Sequence, residues 1–341
     1  MRRAFLSIIA LAGLSTFMGM APTDQSADPR NQDLEVHLNP HNVVGYESCE
    51  KCHAAEVSVW KQTPHHETFL TLHRRPEAKQ IADAMGITSF KEDSECIKCH
   101  YTMKSHGDDL DAISGVSCES CHGAAKDWLT VHNDYGGESV TRLTESEQHK
   151  MQRLRDSIAG GMRNPVNVYL VARSCYRCHT VPSERLVNVG GHNEGSLDFE
   201  IVSWSQGSVR HNFVRSDGKH NAASDRGRIR KMFVAGMIAD LEFSLRATAA
   251  ATEKAAFGVN AAKRASRAAK RLAAAQKKLN DENLSSVLSV YKSVKLKLNN
   301  YDRLAEAADN ISALGVRFAA TANGDKLEPI DKYIPAESKW K

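Results

Sequence analysis

The sequence predicts a mainly α protein: a loop-rich domain of short helices, followed by an antiparallel helical bundle. Three observations carry this. The motif C-x-x-C-H occurs four times and consumes all 8 cysteines. Around those motifs histidine is frequent and apolar periodicity is weak. From about Ser224 onward glycine and histidine become sparse, no cysteine appears after Cys178, and apolar residues recur at helical spacing.

The chain opens with Met1-Arg2-Arg3 and an apolar run from Ala4 to about Ala21. A charged start and a short apolar core read as a signal peptide over residues 1–21, with Gly19 and Ala21 as small residues near a cleavage point. Arg2-Arg3-Ala4-Phe5-Leu6 has a faint twin-arginine character, which is set aside. Either route gives a periplasmic or otherwise exported protein. Membrane contact arises only if the leader stays on as an uncleaved anchor. Residues 22–43 are polar and aperiodic, a linker that carries His37 and His41.

Residues 44–222 hold the motifs: Cys49, Cys52, His53; Cys96, Cys99, His100; Cys118, Cys121, His122; and Cys175, Cys178, His179. Chance placement of 8 Cys and 15 His gives such a motif on the order of 0.01 times. Zinc ribbons use C-x-x-C pairs but need no histidine after each one, and disulfides would not impose one spacing four times. C-x-x-C-H is the attachment site of c-type haem: two thiols bind the porphyrin and the histidine ligates iron. The expectation is four covalently bound haem c groups, with metal ligands His53, His100, His122 and His179. Short helices are expected over 54–62, 77–85 and 144–158, and the weak periodicity assigns no strands.

Distal ligands must come from His37, His41, His65, His66, His73, His106, His132, His149, His192, His211 and His220. Val44-Gly45-Tyr46-Glu47-Ser48-Cys49-Glu50-Lys51-Cys52-His53, then Trp60-Lys61-Gln62-Thr63-Pro64-His65, resembles the opening of the cytochrome c-554 (c-552/4) family of tetrahaem proteins. Gly115-Val116-Ser117-Cys118-Glu119-Ser120-Cys121-His122-Gly123 resembles that family's third site. The resemblance covers roughly residues 44–215. It implies that His65, rather than His66, ligates the third iron opposite His122, that His132 ligates the first opposite His53, and that the iron on His100 is five-coordinate and open. For the fourth haem, Gly190-Gly191-His192 and Arg210-His211-Asn212-Phe213 both resemble ligand segments of related proteins. His192 is taken for His179, leaving His211 for another haem or a structural role. Met103 is too near His100 to reach its opposite face.

Residues 223–322 carry four stripes: Ile229, Met232, Phe233, Met237, Leu241, Leu245; Phe257, Ala261, Ala265, Ala268, Leu272, Ala275, Leu279; Leu284, Val287, Tyr291, Val294, Leu298; and Leu304, Ile311, Leu314, Phe318. Asn280-Asp281 and Asn299-Asn300 break them, which gives a bundle with short loops. Residues 323–341 read as an extended strap or disordered tail. The second helix concentrates charge: Lys263, Arg264, Arg267, Lys270, Arg271, Lys277 and Lys278, with no acid between. It is either a solvated face or a docking surface, over 263–278, for acidic redox partner proteins. Export and a net charge of only +4 speak against nucleic acid.

Two functions fit. The first is an electron carrier, which by resemblance takes electrons from a hydroxylamine-oxidising type enzyme of nitrogen metabolism. The alternative is a small-molecule oxidoreductase that works on nitric oxide, hydroxylamine or nitrite at an open haem on His100. The non-enzymatic carrier is preferred, and no catalytic residues are assigned.

Overall fold

The computed structural model describes residues 38–92 and 95–341. The signal-peptide reading, most of the linker and His37 lie outside the described residues. The described chain is mainly α, with thirteen α-helices and one two-stranded sheet. No helix among them is long and apolar enough to cross a membrane.

The first three helices are short and clearly punctuated. α1 (Tyr46–Trp60) begins after Gly45, whose φ of +98° suits glycine, and is kinked at His53, with φ −116° and ψ 40°. It therefore starts earlier than the sequence reading set it and contains the first motif. Thr63 caps α2 (Pro64–Thr71), with Pro64 in the first turn where its missing N–H costs nothing. α3 (Pro76–Met85) also starts on proline and stops at Gly86, φ +66°.

The second and third motifs form single turns, α4 (Ile97–His100) and α5 (Cys118–His122). Between them an antiparallel hairpin pairs β1 (Thr102–His106) with β2 (Asp109–Ser114). The sequence reading assigned no strands here, because the periodicity is weak. Their signal was Gly107-Asp108, a two-residue turn whose glycine has φ +67°. α6 (Glu147–Ala159) follows, and then α7 (Val168–His179), which ends in the fourth motif. The short α8 (Glu184–Asn188) and α9 (Ile201–Ser205) lead out of this region.

Four longer helices complete the chain: α10 (Arg226–Ala250), α11 (Ala256–Leu279), α12 (Glu282–Ser293) and α13 (Tyr301–Thr321). Asn280 at φ +46° and Asn299 at φ +55° make the expected breaks. Val294 and Leu298 lie beyond the end of α12. α10 was expected to be amphipathic, but it is buried almost all round because α7, α11 and α13 all pack on it. Its acids, Asp240 and Glu242, face basic side chains of those neighbours. Tyr169 and Tyr176 of α7 sit fully buried in the same core as Phe243, Leu245 and Phe318, so the fourth motif is built into the C-terminal helices. The tail is neither extended nor loose. Residues Asp325–Tyr333 form a 3-10 stretch that buries Leu327 and Ile330, Arg230 pairs with Asp331 at 2.7 Å, and the Lys341 backbone bonds to Ser203 and Ser208.

Candidate cofactor centre: four facing histidine pairs

Each motif histidine faces a second histidine. Ring centres are 6.3 Å apart for His53–His132, 6.5 Å for His100–His192, 6.0 Å for His122–His211 and 6.3 Å for His179–His65. Two metal–imidazole bonds of about 2.0 Å, plus roughly 1.15 Å from each nitrogen to its ring centre, sum to about 6.3 Å. The spacing is that of one metal ion between two imidazoles.

The hydrogen bonds agree with that role. His132 Nδ1 meets Leu129 O at 2.6 Å, His192 Nδ1 meets Asn193 O at 2.6 Å, and His211 Nδ1 meets Val209 O at 2.7 Å. A carbonyl oxygen only accepts, so in each case Nδ1 carries the proton and Nε2 keeps its lone pair for a metal. Burial, reinforced by the facing histidine, holds His100, His122 and His179 down at about 4, and burial also lowers His65 and His132. Neutral imidazole, the ligating form, is therefore the one these sites favour.

Two donors per site do not bind a bare ion well, and among the described residues no group of three or more His, Cys, Asp or Glu could hold one. The remaining ligands must come with the cofactor, as a porphyrin supplies them. None of the eight cysteines is tied up in a disulfide, so all of them are left for attachment to a porphyrin. Among the buried donors without a protein acceptor are Tyr101 Oη, directly after His100, and Trp128 Nε1, whose ring stands edge-on to His132 at 5.2 Å. Buried donors of this kind need an acceptor, and a porphyrin's carboxylates supply one. The residues fit haem c.

The motifs pack in the order first, third, fourth, second. The thiols of Cys49 and Cys118 are neighbours, as are those of Cys99 and Cys178, and Cys121 lies by Cys175 and Cys178. Glu119, wholly buried inside the third motif, joins the first two of this series. Its carboxylate accepts from Val44 N at 3.0 Å, Gly45 N at 2.9 Å and Ala125 N at 2.8 Å. Arg163 N donates to His122 O at 2.7 Å, and its guanidinium reaches Ser174 on α7. Phe199 stacks on His179 with ring centres 4.0 Å apart.

His53 and His132 come together as the resemblance implied. The other pairings differ. His65 faces His179, not His122, because Gly115 and Val116 occupy its backbone side: Val116 N donates to His65 O at 3.0 Å, and a Cβ on Gly115 would strike that oxygen. His192 faces His100 rather than His179, since its loop is held by α11. His211 then stands opposite His122. His100, whose opposite side was expected to be open, faces His192. His66 packs on Trp60, His149 bonds Glu145, and His41 is exposed. Sequence reasoning missed Glu119, Tyr101, Trp128 and Phe199; the only trace of them is their place beside a motif or ligand histidine.

On the basic helix, Lys263, Arg267, Lys270, Lys277 and Lys278 are exposed. Arg264 is buried against Asp240 at 2.6 Å, and Arg271 lies 6.0 Å over the Phe233 ring.

Residues 48–123 match the family described as cytochrome c554 and c-prime. Cytochrome c-554 of Nitrosomonas europaea is 31% identical over 103 residues, covering 27% of this chain and 43% of that protein. The match thus spans less than half the length of the relative, and no solved structure matches the chain. The fourth motif and the long C-terminal helices lie outside residues 48–123. Over that stretch, which carries three of the four C-x-x-C-H motifs, the chain is similar to the cytochrome c554 and c-prime family.

Proposed function

We propose that the protein is an exported tetrahaem c-type cytochrome that carries electrons between redox partner proteins. Bound haem c supplies reversible one-electron chemistry at iron. The observation that carries the reading is that every motif histidine has a second histidine at 6.0–6.5 Å, which leaves no coordination position for substrate. The chain's part is to aim eight imidazoles in facing pairs and to stack the motifs in one series from the first to the second. By the family resemblance, an oxidoreductase of nitrogen metabolism is the donor. The exposed lysines and arginine of α11 offer an acidic partner a place to dock.

The alternative, chemistry on a small nitrogen oxide at the iron of His100, needs His192 to leave. Electron paramagnetic resonance of the ferric protein, before and after nitric oxide, separates the two. Low-spin signals that nitric oxide leaves unchanged are expected. A high-spin signal removed by nitric oxide would overturn the carrier reading, and a haemochrome assay below four haems per chain would overturn the count.

A further inference from the structure

We propose that one face of α11 is a latch that holds the loop carrying His192, and so keeps the iron on His100 closed. This rests on the ligation of His100 and His192 to one iron, as read above.

The loop between α8 and α9 has no regular structure of its own from Gly191 to Ser196. Such segments sit at the low-stability end of a fold, yet this one must present an imidazole to within a fraction of an ångström. Within the haem region, His192 N donates to Leu186 O at 3.1 Å and Gly191 N to Val187 O at 3.2 Å. Arg185 donates to Met85 O at 2.7 Å, and Gly190 lies against the Met85 side chain.

The C-terminal helices supply the rest. Asn188 Nδ2 donates to Glu253 at 2.9 Å, and Asn188 Oδ1 accepts from Phe257 N at 3.0 Å. The Asn260 amide bonds Glu194. Arg264 Nη1 donates to Gly195 O and Ser196 O, both at 3.0 Å, and Arg267 meets Asp198 at 3.4 Å. Residues 257, 260, 264 and 267 are spaced three and four apart, which puts them on one helix face. The central contact is fixed from behind, because Arg264 Nε is held at 2.6 Å by Asp240 of α10 and both side chains are buried. Gly195 completes the seat: a Cβ there would strike His179 O, so the loop lies directly on the fourth motif.

Every bond in this row comes from residues 253–267, outside the segment 48–123 that matches the family. The closure of the second site is thus a property of the C-terminal helices. They position a ligand that the matched segment does not contain.

The test uses the full holoprotein with Asn260→Asp and Arg267→Glu, which set like charges against Glu194 and Asp198 at the surface and leave the core intact. We expect a high-spin ferric signal to appear and one haem of the four to bind carbon monoxide when reduced, with the same spectrum as His192→Ala. A folded double variant that stays low-spin and silent to carbon monoxide, while His192→Ala opens one haem, overturns the latch. If His192→Ala itself stays low-spin, the ligation reading fails instead. Should charge reversal disturb folding by circular dichroism, Asn260→Ala with Arg267→Ala is read the same way. Native-state hydrogen exchange adds a check on the unaltered protein: residues 190–198 are expected to open together with 253–267, and opening together with α1 would also overturn the proposal.

Discussion

Tyr169 Oη donates a 2.6 Å hydrogen bond to Glu242, a carboxylate with no solvent exposure. The same carboxylate takes Arg173 at 2.8 Å and Arg246 at 2.9 Å, and Arg246 goes on to Asp309 of α13 at 2.7 Å. Tyr169 and Arg173 lie one turn apart on α7, the helix that ends in His179. One buried acid therefore binds the fourth motif's helix to the centre of the C-terminal core.

Removing that acid takes from Arg173 its carboxylate partner and leaves Arg246 with Asp309 alone. Breaking a buried ion pair from one side costs about 3–5 kcal/mol, because the remaining charge is left uncompensated. Glu242→Ala is expected to lower unfolding stability by an amount of that order, measured by denaturant melts followed through circular dichroism. A loss under about 1 kcal/mol, the size expected of an exposed pair, would show that water reaches these groups.

The crossed pairing of His65 with His179 has a genetic signature. Cys175→Ala with Cys178→Ala removes the covalent tether of the fourth haem. In that background His65→Ala should leave the three remaining haems low-spin, since its iron is already gone. In the unaltered protein the same substitution should produce one high-spin haem. If His65→Ala opens an iron in both backgrounds, His65 serves His122 after all, as the family resemblance implied.

What the sequence showed and what it hid divide along a physical line. Haem attachment is local chemistry, so Cys96, Cys99 and His100 could be read directly. Helix breaks at Asn280 and Asn299 were legible for the same reason, because each needs only its own positive φ. Distal ligands depend on which loop lies over which motif, and that is settled by contacts far along the chain. His192 was taken for His179 and instead faces His100, since the position of its loop is set by Arg264 and Asn260. The full burial of α10 was hidden by Asp240, Glu242 and Arg246, which look like a solvated face until their partners on other helices are known.

Acid should act on the loop that carries His132. Arg153 donates to His132 O at 2.7 Å and pairs with Glu145 at 2.6 Å, and Glu145 also bonds His149. The hydrogen bonds from Arg153, above all, hold the Glu145 carboxyl down at about 2, against an ordinary 4.5. A depressed folded value gives stability that is fully present above the ordinary carboxylate range and is lost as pH falls toward about 2. The unaltered protein should therefore be more stable than Glu145→Gln at pH 6, with the gap closing between pH 4.5 and 2. A gap that does not change across that window would mean that the pair contributes no proton-linked stability.

Docking on α11 makes a different demand, because it concerns rates and leaves the fold alone. Lys263 and Lys270 are exposed beside Arg267, whereas Arg264 is buried and committed to Asp240. Charge on an open face steers encounter and raises association rates by about 10-fold or more at low salt, and salt near 0.15 M screens it beyond about 8 Å. Lys263→Glu with Lys270→Glu should therefore slow reduction by an acidic donor cytochrome several-fold at low ionic strength, with the difference shrinking as salt rises. Stopped-flow reduction at a series of salt concentrations measures it. These positions lie outside the row that holds the His192 loop, so all four haems should stay low-spin in this variant. Unchanged rates and an unchanged salt slope would place the docking surface elsewhere and leave the α11 lysines as a solvated face.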